Sequence, residues 1–272
     1  MKNIIALLTI FATALFGGEK ILIDGSTTVG PIAKAYAEYY MAKYPEVNIT
    51  VSESGSGNGA KSLINNTCDI ADMSRPMKDK EFKVASEKGI QPCPHVVALD
   101  GLPILVHPSN PVKGLTIKQL RNIYLGKISS WKELGGPDVA IVRISRDTNS
   151  GTYETFNKLV MKKQKISKKT EYVGSNGAVR QRVQTTRGAI GYAGLGFADR
   201  TTKTLEINGI SPNLETVQSG IYPISRPLFM YTDKYPKLGS HLYRFMNLYL
   251  TKDGQEIVEE IGFVPMTGYD LD

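Results

Sequence analysis

Apolar and polar positions alternate between two periods along most of the chain. Short β-type runs fall at 20–24, 47–51, 69–74, 139–145, 189–193, 205–207 and 224–231. Between them, apolar residues near a 3.6 period predict helices over 31–44, 57–65, 77–88, 116–124, 151–162, 176–184, 236–249 and 252–261. In the first helix Ile32, Ala35, Tyr36 and Tyr39 recur at helical spacing, Pro31 suits the first turn and Pro45 stops it. Such alternation predicts an α/β fold whose sheets are mainly parallel. The run 95–107 is too long and apolar for one ordinary strand, and Gly101 and Pro103 interrupt it. A run of that shape can pass from one lobe to another.

Composition narrows the class. The chain has 272 residues, of which 41% are hydrophobic, enough to bury a sizeable core. At about 150 residues per domain, that length suits one large domain or two lobes. Residues 1–18 are set apart: Lys2 supplies a positive start, 4–16 are almost wholly apolar, and Ala12-Thr13-Ala14 is a small-x-small cleavage pattern. This is the layout of a secretory signal peptide, with cleavage anywhere in 14–18. The apolar run is shorter than the ~20 residues of a membrane-spanning helix. No cysteine near the cleavage region offers a lipid anchor, so the expected location is periplasmic.

Export changes the reading of the two cysteines, Cys68 and Cys93. In an oxidising compartment they form a disulfide if the strands that follow them are neighbours; otherwise they are two separate buried small hydrophobes. They are too few for a four-ligand zinc site.

Four segments join a strand end to a helix start and are rich in Gly, Ser and Thr: Gly25-Ser26-Thr27-Thr28, Gly55-Ser56-Gly57-Asn58-Gly59, Met73-Ser74-Arg75-Pro76, and the run from Arg146 through Ser150, Gly151 and Thr152. In open α/β sheets ligands bind beyond the carboxyl ends of strands. Helix N-termini there offer unpaired N–H groups and partial positive charge, and hydroxyls add short donors. Together these suit a small tetrahedral oxyanion. Any single Ser or Thr before a helix is more commonly an N-cap; four in the right topological place argue for a site. Arg75 and Arg146 alone add full charge, in a side chain suited to bidentate anion contact.

Other chemistries fit less well. Gly55 is followed five residues later by Ala60, not by the second glycine of a nucleotide-binding loop, before Lys61-Ser62. The three histidines, at 95, 107 and 241, have no metal-ligand spacing, and no Gly-x-Ser-x-Gly elbow is present. The formal charge of +7 falls to +6 when Lys2 leaves with the leader. Six lysines between 158 and 169 have no aromatic residue among them, which reads as a solvated helix end rather than a nucleic-acid groove. An exported phosphatase stays open as the enzymatic alternative, as does a scaffolding protein that uses the fold without a ligand.

The order and spacing of several motifs go further. Asp24-Gly-Ser-Thr-Thr-Val-Gly-Pro31, the Gly55–Gly59 loop, Asp69-Ile-Ala-Asp-Met-Ser-Arg75, Val97-Ala-Leu-Asp-Gly-Leu102, the 146–152 run, Gly188-Ala-Ile-Gly-Tyr192 and Tyr222-Pro-Ile-Ser-Arg-Pro227 follow one another over nearly the whole chain after the leader. In this the sequence resembles the substrate-binding proteins of bacterial high-affinity phosphate ABC transporters. The resemblance implies a two-lobed periplasmic binding protein of type II with two hinge crossings, lobe one at 19–104 and 222–272 and lobe two at 105–221. It implies binding of inorganic phosphate, handed as a monomer to an inner-membrane ABC permease, with no catalysis, cofactor, metal or nucleic acid. The implied anion contacts are Thr27 and Thr28, with Ser26, then Ser56, Arg146, Ser150, Gly151 and Thr152. At the third segment Ser74 stands where one version of the pattern has a carboxylate that accepts the proton of phosphate, so sulfate remains an alternative ligand; Arg75 either binds the anion or holds the loop.

Overall fold

The computed structural model describes residues 18–266. The predicted leader therefore lies outside the described residues, except for Gly18. In chain order the elements are β1 (Lys20–Gly25), α1 (Gly30–Lys43), β2 (Asn48–Ser52), α2 (Ser56–Ile64), β3 (Ile70–Met73), α3 (Asp79–Glu87) and β4 (Pro92–Gly101). Then come β5 (Ile104–Val106), β6 (Gly114–Leu115), α4 (Ile117–Leu125), β7 (Val142–Arg146), α5 (Gly151–Leu159), β8 (Thr170–Val173), α6 (Asn176–Gln184), β9 (Ala189–Tyr192), β10 (Lys203–Ile207) and α7 (Leu214–Gln218). The described chain closes with β11 (Ser225–Asp233), α8 (His241–Met246) and α9 (Lys252–Glu260).

The strands form two sheets. The first has the order β2-β1-β3-β11-β4 and the second β6-β10-β5-β9-β7-β8. The α/β class is as the alternation predicts, but both sheets are mixed. β1 runs parallel to β2 and β3, whereas β11 is antiparallel to both β3 and β4. In the second sheet β5 is antiparallel to β9 and β10, while β7 pairs parallel with β8 and β9. The antiparallel strand pairs all involve β5 or β11, the strands by which the chain enters each sheet at the two crossings.

Each sheet is covered by its own core. Ile21, Ile23, Ile32, Tyr36, Tyr40, Leu228 and Phe245 pack between the first sheet and helices α1 and α8. Leu120, Ile123, Tyr124, Trp131, Phe156, Ile190 and Tyr192 do the same for the second. Phe156 and Tyr192 stack at 3.9 Å between ring centroids, which fixes α5 against β9.

The long run 95–107 is two strands. β4 ends at Gly101, Pro103 withholds the N–H that would continue the ladder, and β5 enters the other sheet at Ile104. The return crossing lies beside it: Leu102 N–H donates to Ile224 O (2.8 Å) and Tyr222 Oη donates to Leu102 O (3.0 Å). Two adjacent crossings and a separate core on each side are the architecture of a hinge between lobes.

Local departures have local causes. β6, β8 and α7 escape the periodic pattern because each spans only two to five residues. The helix expected over 236–249 begins only at His241. Gly239 takes a left-handed conformation and Ser240 caps the helix by accepting the Tyr243 N–H.

The disulfide between Cys68 and Cys93 does not form: both thiols are free. Cys68 precedes β3 and Cys93 lies in β4, paired across from Thr232. β11 runs between β3 and β4. Two strand spacings, about 9.5 Å, exceed the Cα separation a disulfide can bridge. The buried Cys68 thiol is pushed up to about 12 by desolvation, with nearby Asp24 adding to it, so it is an inert small hydrophobe at neutral pH.

Candidate anion-binding site

All four Gly/Ser/Thr-rich loops lie at carboxyl ends of strands and converge between the sheets. Burial makes this more than a sequence pattern: Ser26, Thr27, Thr28, Ser56, Ser74, Arg75, Arg146, Ser150 and Thr152 are all buried.

The first loop leaves β1 at Gly25, whose positive φ and contact with the Asp72 backbone exclude any side chain. Ser26 then braces the turn that leads into α1, its Oγ accepting N–H bonds from Thr28 (3.1 Å) and Val29 (3.4 Å). Thr28 reaches across the cleft, where its Oγ1 is 3.0 Å from Thr152 Oγ1 on α5. The second and third loops meet through their serines. Ser56 Oγ accepts the Ser74 N–H (3.0 Å) and lies 3.2 Å from Ser74 Oγ. Gly151, the first residue of α5, sits directly over this pair; a Cβ there would fall 2.6 Å from both Ser56 Oγ and Ser74 Oγ. Only glycine lets the helix N-terminus descend onto the two hydroxyls. Ser150 caps that helix, its Oγ accepting the Tyr153 N–H (3.2 Å).

Arg146 ends β7 one turn before the α5 N-terminus. Its Nε and Nη2 donate to Val173 O (3.3 Å) and Gly174 O (2.7 Å), while Nη1 is buried with no hydrogen-bond partner. Burial pulls its pKa down to about 10, which still leaves it charged at neutral pH. Arg75 behaves differently. Its Nε donates to Glu154, and its Nη1 and Nη2 to Glu81 and Pro76 O. Expected as an anion contact or a loop support, it has its guanidinium occupied by carboxylates.

Three side chains of the site are absent from the sequence-derived set. Arg226, at the start of β11, donates through Nη2 to Thr152 Oγ1 (2.9 Å) and Thr28 Oγ1 (3.4 Å), and through Nη1 to Ser74 O (2.9 Å). Asp100, its register partner on β4, accepts Arg226 Nε (3.0 Å) and Nη2 (2.8 Å), and the Leu195 N–H (2.8 Å). Burial pushes Asp100 up and Arg226 down, each opposed by the other's charge. Asn176, at the start of α6, donates from Nδ2 to Thr27 Oγ1 (3.1 Å) and Thr28 Oγ1 (2.9 Å). The signal was present in part. Arg226 and Asp100 lie inside Tyr222–Pro227 and Val97–Leu102, motifs read as marks of the family rather than as ligand contacts, and only the pairing of β4 with β11 joins them.

Asp72 lies on the face of β3 that it shares with Ile70, beside Gly25, and both its carboxylate oxygens are buried without a partner. Desolvation holds its pKa well above the ordinary carboxylate range, with Asp24 and Glu53 adding to it. The native state therefore binds a proton that the unfolded chain has lost above about pH 4. Stability is full below that pH and falls as pH rises through the folded-state value. Asp72→Asn is expected to flatten this decline and raise the unfolding midpoint at pH 8, as thermal melts of both proteins across pH will show.

Chemically, the site is a buried, donor-rich enclosure with two guanidiniums, hydroxyls from both sides and the N-termini of α1, α2 and α5. Among the described residues no cluster of three or more His, Cys, Asp or Glu could hold a metal ion. Fold and site together define a two-lobed binding protein for a small oxyanion.

The comparisons with known proteins agree. Residues 12–252 match the family model described as a PBP superfamily domain. A phosphate-binding protein PstS of Staphylococcus epidermidis is 35% identical over 89% of this chain and 77% of its own length. One from Borreliella burgdorferi is 32% identical over 97% of this chain and 99% of its own length. A crystal structure from Clostridium perfringens, described as a phosphate ABC transporter substrate-binding protein with bound phosphate, superposes with a TM-score of 0.85 at 32% identity, covering 92% of this chain and all of the other. The chain belongs to the PBP superfamily and, within it, to the PstS family of phosphate-binding proteins.

Proposed function

We propose that this chain binds inorganic phosphate between its lobes and delivers it to an inner-membrane ABC permease, after export directed by residues 1–18. The lobes in this reading are 19–104 with 222–272, and 105–221, closing as rigid bodies over the anion. The observation that carries it is the buried meeting of Thr28, Thr152, Ser56, Ser74 and the α5 N-terminus with Arg226 and the unpartnered Nη1 of Arg146. Fixed dipoles and hydroxyls replace the anion's water without reorganising, which burial makes effective. Among the described residues, no histidine or other base lies among the hydrogen-bond partners of these serines and threonines, which favours binding over phosphatase chemistry.

Titration of refolded, ligand-stripped protein by calorimetry is expected to give tight 1:1 binding of phosphate and much weaker binding of sulfate. Absence of heat with either anion overturns the reading. A preference for sulfate keeps the fold and site and corrects the ligand, which Ser74 in place of an acidic acceptor makes the informative comparison. Absence of phosphomonoester turnover is expected in the same samples.

A further inference from the structure

The cleft is closed along its two edges by different means. On the α2 side the contacts are neutral: Gly57 N–H donates to Asn149 O (2.9 Å) and Asn149 Nδ2 to Asn58 Oδ1 (2.9 Å). On the α3 side they are ionic. Glu154, on the first turn of α5, accepts Arg75 Nε (3.0 Å) and Lys78 Nζ (2.7 Å) with one oxygen. These bonds join the second-sheet half to the first.

The two cations are held ready by a capping arrangement. Glu81 folds back onto the start of α3, accepting the Lys78 backbone N–H (2.8 Å). The same carboxylate takes Arg75 in a two-pronged pair, both bonds 2.8 Å. Burial raises the Glu81 pKa, but the Arg75 and Lys78 bonds outweigh it and hold the group below its ordinary value, hence ionised. Arg75 is thereby fixed with Nε facing Glu154, its side chain only 5% exposed.

The placement of Glu154 links this edge to the anion. Glu154 lies two residues beyond Thr152 and three beyond Gly151, on the helix whose N-terminus covers Ser56 and Ser74. Lys78 and Arg75 follow Ser74 on the same loop. A pull between Glu154 and these cations draws the α5 N-terminus and the Ser74 loop together, where the anion contacts are made.

We propose that Glu154, with Arg75 and Lys78, is a cross-cleft clasp that positions the α5 N-terminus and slows anion release without itself touching the anion. The inference rests on the phosphate-binding reading above. The clasp forms one wall of a groove of about 740 Å3 between the lobes, also lined by Lys158 and Lys163, so dissolved ions reach it. Its contribution must therefore decline with salt, unlike that of the buried site.

The test compares wild type, Glu154→Gln, Lys78→Met and the double variant by phosphate calorimetry and stopped-flow release, at about 0.02 M and about 0.5 M salt. Glu154→Gln is expected to weaken binding roughly 3- to 10-fold at low salt, through faster release, and to converge on wild type at high salt. Lys78→Met should weaken it less, and the double variant should match Glu154→Gln, because the lysine has then already lost its partner. An unchanged release rate, a salt-independent effect, or full additivity overturns the clasp. Should wild type bind no phosphate, the function is wrong and the clasp is judged by small-angle scattering of the ligand-free proteins. A larger radius of gyration for Glu154→Gln then supports it, and an unchanged radius overturns it.

Discussion

Arg226→Met is expected to abolish tight phosphate binding and to destabilise the protein, the largest effect of any single substitution in the cleft. The guanidinium lies between the Thr28 and Thr152 hydroxyls and also holds Ser74 O, so it touches three of the four loops. It is also the charge partner of Asp100, a carboxylate with no exposed surface. Removing one partner of a buried pair leaves an uncompensated charge, at a cost of about 3–5 kcal/mol. For a chain of this size that lowers the unfolding midpoint by roughly 6–20 °C. Phosphate affinity should fall at least ~100-fold, the value of one or two charge-assisted bonds. The double variant Arg226→Met with Asp100→Leu separates the two roles. It should recover most of the lost stability, since no buried charge remains, and recover none of the binding. Calorimetry and thermal melts on the two variants check both halves; a double variant that binds phosphate as wild type does would remove Arg226 from the site.

Arg146→Ala should weaken phosphate binding roughly 10- to 150-fold, the range for one hydrogen bond to a charged group. Its Nε and Nη2 are held by two consecutive carbonyls, Val173 and Gly174, which leaves the buried Nη1 as a fixed donor with nothing to satisfy it. A buried donor without a partner costs free energy until a ligand supplies an acceptor, so part of the binding energy is stored there. Lys163→Ala is the control. Lys163 is also cationic but exposed, and its loss should change affinity by no more than about 2-fold. Equal effects would mean that diffuse positive charge, not the enclosure, holds the anion.

How legible the site was in the sequence differs residue by residue. Thr28, Ser56 and Thr152 were visible because each sits in a Gly/Ser/Thr cluster at a strand-to-helix junction, and such junctions lie at one end of a sheet. Arg226 was not, because it lies 74 positions beyond Thr152 in a motif that reads as a strand entry. Asp100 was hidden in a largely apolar run. Arg75 was visible as a charge in the right loop, but its partners Glu81 and Glu154 come from two other elements. No local pattern says which of several nearby charges a guanidinium will meet. The cysteines make the same point, for sequence order placed β3 and β4 as successive strands and could not show that β11, over a hundred residues later, lies between them.

The sequence by itself determined the local grammar: alternating periods, the break at Gly101 and Pro103, the four hydroxyl-rich loops and the motif order that marks the family. These depend on residues a few positions apart, whose backbone preferences and spacing act before any fold exists. The tertiary structure decided which of the formal charges act together. Of 33 Lys and Arg residues, it brings Arg146 and Arg226 into the enclosure and assigns Arg75 and Lys78 to its edge. Burial, which multiplies the strength of a charge and the cost of leaving it unpaired, is a property of the whole chain packed around a residue.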